Sequence, residues 1–240
     1  MGDGKAWRPA DLLIDVVLAG KQALIVGEGK EPEYKALKLL DAKAKVTVLG
    51  ESFTDGLRRL ASKSKGRVRL VQASPSAENV LGAVEETGPR VVFISTGRPE
   101  LDEELSEAVR SARRGAPLVC VVDEPRLNDF NMPAIAKMGD IRVGVSTGGR
   151  SPAMAGLLRD RIEKAVTRQD VLQVRLQGHI RREARKLLKD AASRKEFAYK
   201  VIGDRRVGAL LRKGDYAEAR KVAEEMLREA SAEGGAKRHA

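Results

Sequence analysis

Apolar residues along this chain follow two rhythms. Short unbroken apolar runs come first, separated by stretches in which apolar positions recur every three or four residues. Ala23-Leu24-Ile25-Val26, Val46-Thr47-Val48-Leu49, Val68 to Val71, Val91-Val92-Phe93-Ile94 and Leu118 to Val122 are the runs, and each predicts a short strand buried on both faces. Between them the spacing predicts helices: one carrying Tyr34, Leu37, Leu39 and Leu40, one over 53–65 with Leu57, Leu60 and Ala61 inward, one starting at Ser76, and one over 99–114 with Leu101, Leu105 and Val109 inward. Strands alternating with helices at this interval argue for an α/β parallel sheet with right-handed crossovers. Ahead of it, Leu12-Leu13-Ile14 and Val16-Val17-Leu18 form an apolar lead-in expected to pack on the sheet, and residues 1–10 read as loose.

After Pro133 the rhythm changes. Ile141 to Val145 reads as a strand, and Ser146-Thr147-Gly148-Gly149-Arg150-Ser151-Pro152 as a turn. A helix then places Met154, Leu157, Leu158, Ile162 and Val166 on one side. Ser151 as N-cap before Pro152 is a helix-start signal. From Gln169 onward only helical spacing remains, with Val171, Leu172, Val174, Ile180, Leu187 and Leu188 apolar and Arg181, Arg182, Arg185, Lys186 and Lys189 between them. Gly203 and Gly214 punctuate this region, and residues 234–240 read as a disordered tail.

Glycines and acids fall where the predicted strands end. Gly27-Glu28-Gly29 follows the first strand, Glu51-Ser52 the second, Ser95-Thr96-Gly97 the fourth and Asp123 the fifth. In open parallel sheets ligands bind outside the carboxyl ends of the strands, so these four ends are expected to share one crevice. Residues 21–52 read as the opening βαβ unit of a dinucleotide-binding sheet, with two glycines at the fingerprint spacing and Pro32 where the third glycine is usual. Asp123, at the end of an apolar strand, is expected to be partly desolvated and fit to act as a general base or to hold a metal; an N-cap or turn aspartate before Pro125 is the other reading of it. The Ser146–Ser151 turn offers backbone N–H groups and a helix N-terminus to an anion.

Composition narrows the chemistry. In 240 residues, 45 Lys and Arg against 34 Asp and Glu give a net charge of +11, which suits either a nucleic acid or a small polyanionic substrate. Aromatic residues are only 3% of the chain, too few to build stacking platforms for single-stranded bases. The basic run 181–189 reads as a solvated face and His179 as a solvated residue on it; His239 lies in the tail. One cysteine, Cys120, and two histidines leave no set of ligands for a preformed transition-metal site, and Cys120 reads as a small core residue. No apolar run is long enough to span a bilayer and no signal-peptide pattern precedes Asp11, so a cytoplasmic protein is expected.

Three segments together resemble the precorrin-2 dehydrogenases, including the bifunctional dehydrogenase/ferrochelatase of sirohaem synthesis. They are LIVGEGKEPEYKALKLLDAKAKVTVLG, VVDEPRLNDFNMPAI with its strand-end Asp123 and Phe-x-x-Pro from Phe130, and VGVSTGGRSPAMAGLLRDRIE with its glycine turn. The helical tail around Gly214–Arg220 is similar as well. The resemblance implies a Rossmann-like NAD-binding domain over 1–132, a dimerisation segment over 133–168, and an all-helical domain over 169–240. It also implies the stand-alone form, without a methyltransferase module. NAD contacts would fall at Gly27, Gly29, Lys30, Glu31, Glu51, Ser52 and Thr96. Asp123 would serve in dehydrogenation and, where present, chelation. Candidate substrate contacts are Asn128, which reads equally well as a turn former, and, in the glycine turn, Thr147, Gly148, Arg150 and Ser151. Three features depart from the family pattern: Glu28 for the middle glycine, Pro32 for a small residue, and Gly97-Arg98 for an acidic pair after Thr96. The implied reaction is NAD-dependent oxidation of precorrin-2 to sirohydrochlorin by a homodimer, with no nucleic-acid or membrane partner and possible Fe2+ insertion. A basic nucleic-acid-binding protein and a module that holds NAD or a tetrapyrrole without chemistry are the alternatives.

Overall fold

Five parallel strands in the order β3-β2-β1-β4-β5 form the main sheet: β1 Gln22–Gly27, β2 Lys45–Gly50, β3 Val68–Gln72, β4 Val91–Ser95 and β5 Leu118–Val121. The structure is a computed structural model that describes residues 12–113 and 115–236. The strands alternate with α1 Lys30–Asp41, α2 Asp55–Lys63, α3 Ala77–Thr87 and α4 Pro99–Arg110. The chain divides into two compact units, whose described parts are 12–132 and 133–236.

Alternation along the strands splits the core of the first unit into two layers. Leu24 and Val26 of β1, with Leu49, Val92 and Ile94, pack under α3 and α4 through Val80, Val84, Leu105 and Val109. Ala23 and Ile25, with Val46, Val48 and Phe93, face α1 and α2 through Ala36, Leu39 and Leu57. Two inward faces explain the unbroken apolar runs.

The inward side of α1 matches the expected one at Leu39 and Leu40 but not at Tyr34 and Leu37. Pro32, Ala36 and Leu39 are buried, whereas Tyr34 and Leu37 are exposed. Small residues face the sheet, so the helix can approach it closely. Pro32 lies in the first helical turn, where no intrahelical acceptor exists for its missing N–H. The lead-in also departs from expectation: Leu12, Leu13, Ile14, Val16 and Val17 are exposed and only Leu18 joins the core. α4 ends at Arg110 rather than extending to 114.

The second unit opens with a hairpin that the sequence reading half missed. β6 Ala134–Met138 pairs antiparallel with β7 Ile141–Val145 across a turn at Gly139, whose φ is +58°. Only β7 had the apolar run of a strand; in β6 only Ala136 is buried. α5 Pro152–Ala165 packs on the hairpin and is followed by α6 Arg168–Leu187, α7 Ala191–Gly203, α8 Arg205–Lys213 and α9 Tyr216–Ala236. Leu176, Ile180, Phe197, Val201, Val207, Leu211, Met226 and Leu227 form their shared core. Thr167, Asp190 and Asp204 cap α6, α7 and α8, and Gly214 ends α8 in the left-handed conformation. Among the described residues no helix is long and apolar enough to cross a membrane. The expected loose start at 1–10 and His239 lie outside the described residues, as does the tail beyond Ala236.

Candidate functional site

The carboxyl ends of β1, β2, β4 and β5 lie along one edge of the sheet, because all five strands are parallel. The strand order reverses between β1 and β4, and a crevice forms at such a switch point. Gly27 ends β1 there, at φ +138°. A Cβ on it would stand 2.0 Å from the carbonyl oxygen of Ser95, so only glycine lets β1 and β4 close up. Gly50, which the sequence reading passed over, does the same on the other side: its Cβ would meet the Gly27 carbonyl oxygen at 2.6 Å.

Gly29 meets the opposite situation. It is the N-cap of α1 at φ +81° and ψ −151°, a region essentially reserved for glycine, and a Cβ would meet nothing within 4 Å. The start of α1 carries no side-chain cap. The first amides of α1, including that of Lys30, receive no bond from a capping side chain at the positive end of the helix, which fits a dinucleotide pyrophosphate. Glu31 is turned to Lys35, with which it forms an ion pair at 3.0 Å.

At the end of β2, Glu51 and Ser52 are held from the glycine turn. The Glu51 amide donates to Glu28 Oε1 and the Ser52 hydroxyl to Glu28 Oε2, both at 3.2 Å, while Glu51 Oε1 accepts from the Ser74 hydroxyl at 2.9 Å. At the end of β4, Thr96 is fixed by Asp102, a buried carboxylate of α4. Asp102 Oδ1 accepts from the Thr96 hydroxyl at 2.6 Å and from its amide at 3.1 Å. The sequence reading did not single out Asp102. Its only signal is an acid in the first turns of α4, six residues past Thr96.

Beyond β5 the chain reverses. Asp123 sits at φ +67°, uncommon for a residue with a side chain, and is exposed rather than partly desolvated as expected. A single 3₁₀ turn, Pro125–Leu127, follows, and the chain then runs back along the outer edge of the sheet. There Asn128 Oδ1 accepts from the Val121 amide at 2.6 Å and Asp129 Oδ2 from the Val119 amide at 2.8 Å. These side chains satisfy the outward amides of an edge strand. Asn128 also donates to Asn131 at 3.0 Å, and Asp129 is ion-paired with Arg110 at 3.1 Å. Phe130 then packs edge-on against Phe93, with centroids 5.4 Å apart. The Phe-x-x-Pro segment thus anchors the loop that carries Asp123. Cys120, beside this anchor, is a buried core residue, and burial pushes its thiol up to about 11.

The remaining candidates belong to the second unit, in the turn between β7 and α5. The Thr147 hydroxyl donates to the Ser151 carbonyl and accepts from the Ser151 amide, at 3.2 and 3.1 Å. The Gly148 amide donates to Ser146 Oγ, and the Arg150 amide to the Thr147 carbonyl. Gly148 and Gly149 both have positive φ, and Ser151 caps α5 through the Met154 amide. The amides of Gly148, Arg150 and Ser151 are bonded within the turn rather than open to an anion. His179, expected to be solvated, instead lies 2.7 Å from Glu224 Oε1 and is half-buried. Arg181, Arg182, Arg185, Lys186 and Lys189 are exposed. Among the described residues no cluster of His, Cys, Asp or Glu could hold a metal ion.

Family comparisons bear on both units. A model described as putative NAD(P)-binding matches residues 14–134, and one described as sirohaem biosynthesis protein central matches 139–165. The precorrin-2 dehydrogenase of Methanosarcina barkeri is 31% identical over 194 residues, spanning 80% of this chain and 81% of that protein. The chain belongs to the precorrin-2 dehydrogenase family. Siroheme synthase 2 of Serratia proteamaculans is 32% identical over 88% of this chain, and siroheme synthase 3 of Aeromonas hydrophila 29% over 91%. The chain spans less than half the length of these synthases, 43% and 44%. A solved structure titled SirC, precorrin-2 dehydrogenase, covers 90% of this chain with a TM-score of 0.68 at 15% identity, which shows the shared fold. Within the precorrin-2 dehydrogenase family, then, the glycine turn and all four strand ends lie in the NAD(P)-binding part. The Thr147 turn lies in the sirohaem central part.

Proposed function

We propose that this chain oxidises precorrin-2 to sirohydrochlorin with NAD+; its Methanosarcina relative is named a precorrin-2 dehydrogenase. The observation that carries the proposal is the edge of the first unit. A glycine turn with an uncapped helix start, a fixed threonine and an aspartate on a strained loop stand at neighbouring strand ends.

Bound NAD+ supplies the oxidant by accepting a hydride. The chain's residues do the rest. Gly27 and Gly29 let the backbone approach the pyrophosphate, and the amides at the start of α1 carry its charge. Thr96, fixed by Asp102, lines the switch point. Asp123 accepts the proton that leaves the macrocycle together with the hydride. Asn128 holds the Asp123 loop to β5, so we assign it support of the loop as well as the expected substrate contact. Thr147, Gly148, Arg150 and Ser151 form the substrate-facing turn in this reading, and the arginine charge suits a substrate with eight carboxylates.

The working form in this proposal is a cytoplasmic homodimer built through residues 133–168. Met154 and Leu157 of α5 and Ile135 of β6 support it, because these large apolar side chains are exposed on one chain. Iron insertion would use the same Asp123 to accept pyrrole protons, with Fe2+ as substrate and the macrocycle nitrogens as ligands.

The test is turnover of precorrin-2 and NAD+ by the wild type and by Asp123→Ala, with Fe2+ added in a second arm. The proposal expects NADH from the wild type and a loss of at least about 100-fold in kcat for the variant. An unchanged rate removes Asp123 from the mechanism, and no NADH from the wild type overturns the activity.

A further inference from the structure

Glu28 stands where the glycine turn of the family carries its middle glycine, and its side chain reaches 23 and 24 residues along the chain to the end of β2. Each of its carboxylate oxygens takes one hydrogen bond there, from the Glu51 amide and the Ser52 hydroxyl. The side chain is led to this place by the close approach of β1 and β2. Gly50 leaves no room for a Cβ beside the Gly27 carbonyl, and that Cβ would lie 3.4 Å from Glu28 Cγ.

In dinucleotide-binding sheets the end of β2 is where the adenosine ribose is read, ordinarily by an acid from that strand. Here the strand ends in Gly50 and the acid arrives from the turn after β1. An ionised carboxylate has about four acceptor sites, and Glu28 has two of them engaged. About two remain, one on each oxygen, which matches the two donors of a vicinal diol. Glu51 adds a second carboxylate beside it, and among the described residues neither acid is ion-paired with a lysine or arginine. A 2′-phosphate brings negative charge and no donor to the same place.

We propose that Glu28 is a specificity-determining residue that accepts hydrogen bonds from the adenosine ribose hydroxyls and excludes a 2′-phosphorylated dinucleotide. The proposal rests on the dinucleotide reading of the glycine turn.

Calorimetric titration of the full chain with NAD+ and with NADP+ tests it, using Glu28→Gln and Glu51→Gln. The wild type is expected to bind NAD+ at least about 100-fold more tightly than NADP+. Glu28→Gln, which keeps the volume and loses the charge, is expected to shrink that ratio about tenfold or more, mainly through tighter NADP+ binding. A ratio unchanged within about twofold in Glu28→Gln overturns the proposal while leaving the dinucleotide site standing. So does a ratio that responds only to Glu51→Gln. Absence of NAD+ binding by the wild type overturns the dinucleotide reading itself, and the proposal with it.

Discussion

Asp102→Ala should loosen the β4 end of the site without replacing any residue expected to contact a ligand. The Asp102 carboxylate is 4% exposed, and one oxygen takes both the amide and the hydroxyl of Thr96. Hydrogen bonds to a buried charge contribute about 1.5–3 kcal/mol each, and the donors left behind would be without partners. Relief from burying the carboxylate offsets part of this, so the expected loss is about 2–4 kcal/mol. Asp102→Asn keeps an acceptor at the same oxygen and should lose only about 1 kcal/mol. Thr96→Val removes one of the two bonds, so Asp102→Ala should cost less in that background, by about 1–2 kcal/mol. Because the chain has two units, a single unfolding transition is not assured, and urea titration should be paired with hydrogen exchange read on peptides spanning β4 and α4. Exchange at Thr96–Arg98 should accelerate far more in Asp102→Ala than in Asp102→Asn. Equal effects of the two variants, or a loss under about 0.5 kcal/mol for alanine, would refute the reasoning.

Gly27→Ala should destabilise the first unit by at least about 3 kcal/mol, since its Cβ would collide with the Ser95 carbonyl. A melting temperature lower by at least about 6 °C would show it. Cys120 should resist thiol reagents at neutral pH in the folded protein and label only on unfolding. Its thiol is raised from 9.0 to about 11 by burial. The native state therefore holds this proton longer than the unfolded chain does, and stability should fall as pH rises between those values, measurable by denaturant titration in alkaline buffers. Leu157→Glu should halve the mass seen by light scattering if α5 lies in the homodimer interface, and leave it unchanged if it does not.

The strands were legible because their buried faces leave a continuous apolar run, and α3 and α5 because Ser76 and Ser151 cap them. The inward face of α1 was legible only in part. Leu39 and Leu40 do face the core, but Tyr34 and Leu37 are exposed and Pro32 and Ala36 pack on the sheet in their place. β6 escaped because it buries only Ala136 and pairs with a single neighbour. At the site, the glycine turn and Asp123 could be read from their places after apolar runs. The parts that depend on distant partners could not: Glu28 reaching Glu51 and Ser52, Asp102 fixing Thr96, and Asn128 and Asp129 closing the edge of β5. Each joins segments whose adjacency only the strand order reveals. The resemblance covered nearly the whole chain, yet Glu28 was a departure within it, and the structure gives that departure two hydrogen bonds at the end of β2.

The central claim is that the strand ends of the first unit carry out a dehydrogenation. Its most direct test is an anaerobic reaction of the purified chain with precorrin-2 and NAD+, following NADH and the tetrapyrrole spectrum together. One NADH is expected for each sirohydrochlorin formed, with both signals lost together in Asp123→Ala. Sirohydrochlorin appearing without NADH, or no reaction under conditions where NAD+ binds, would contradict it.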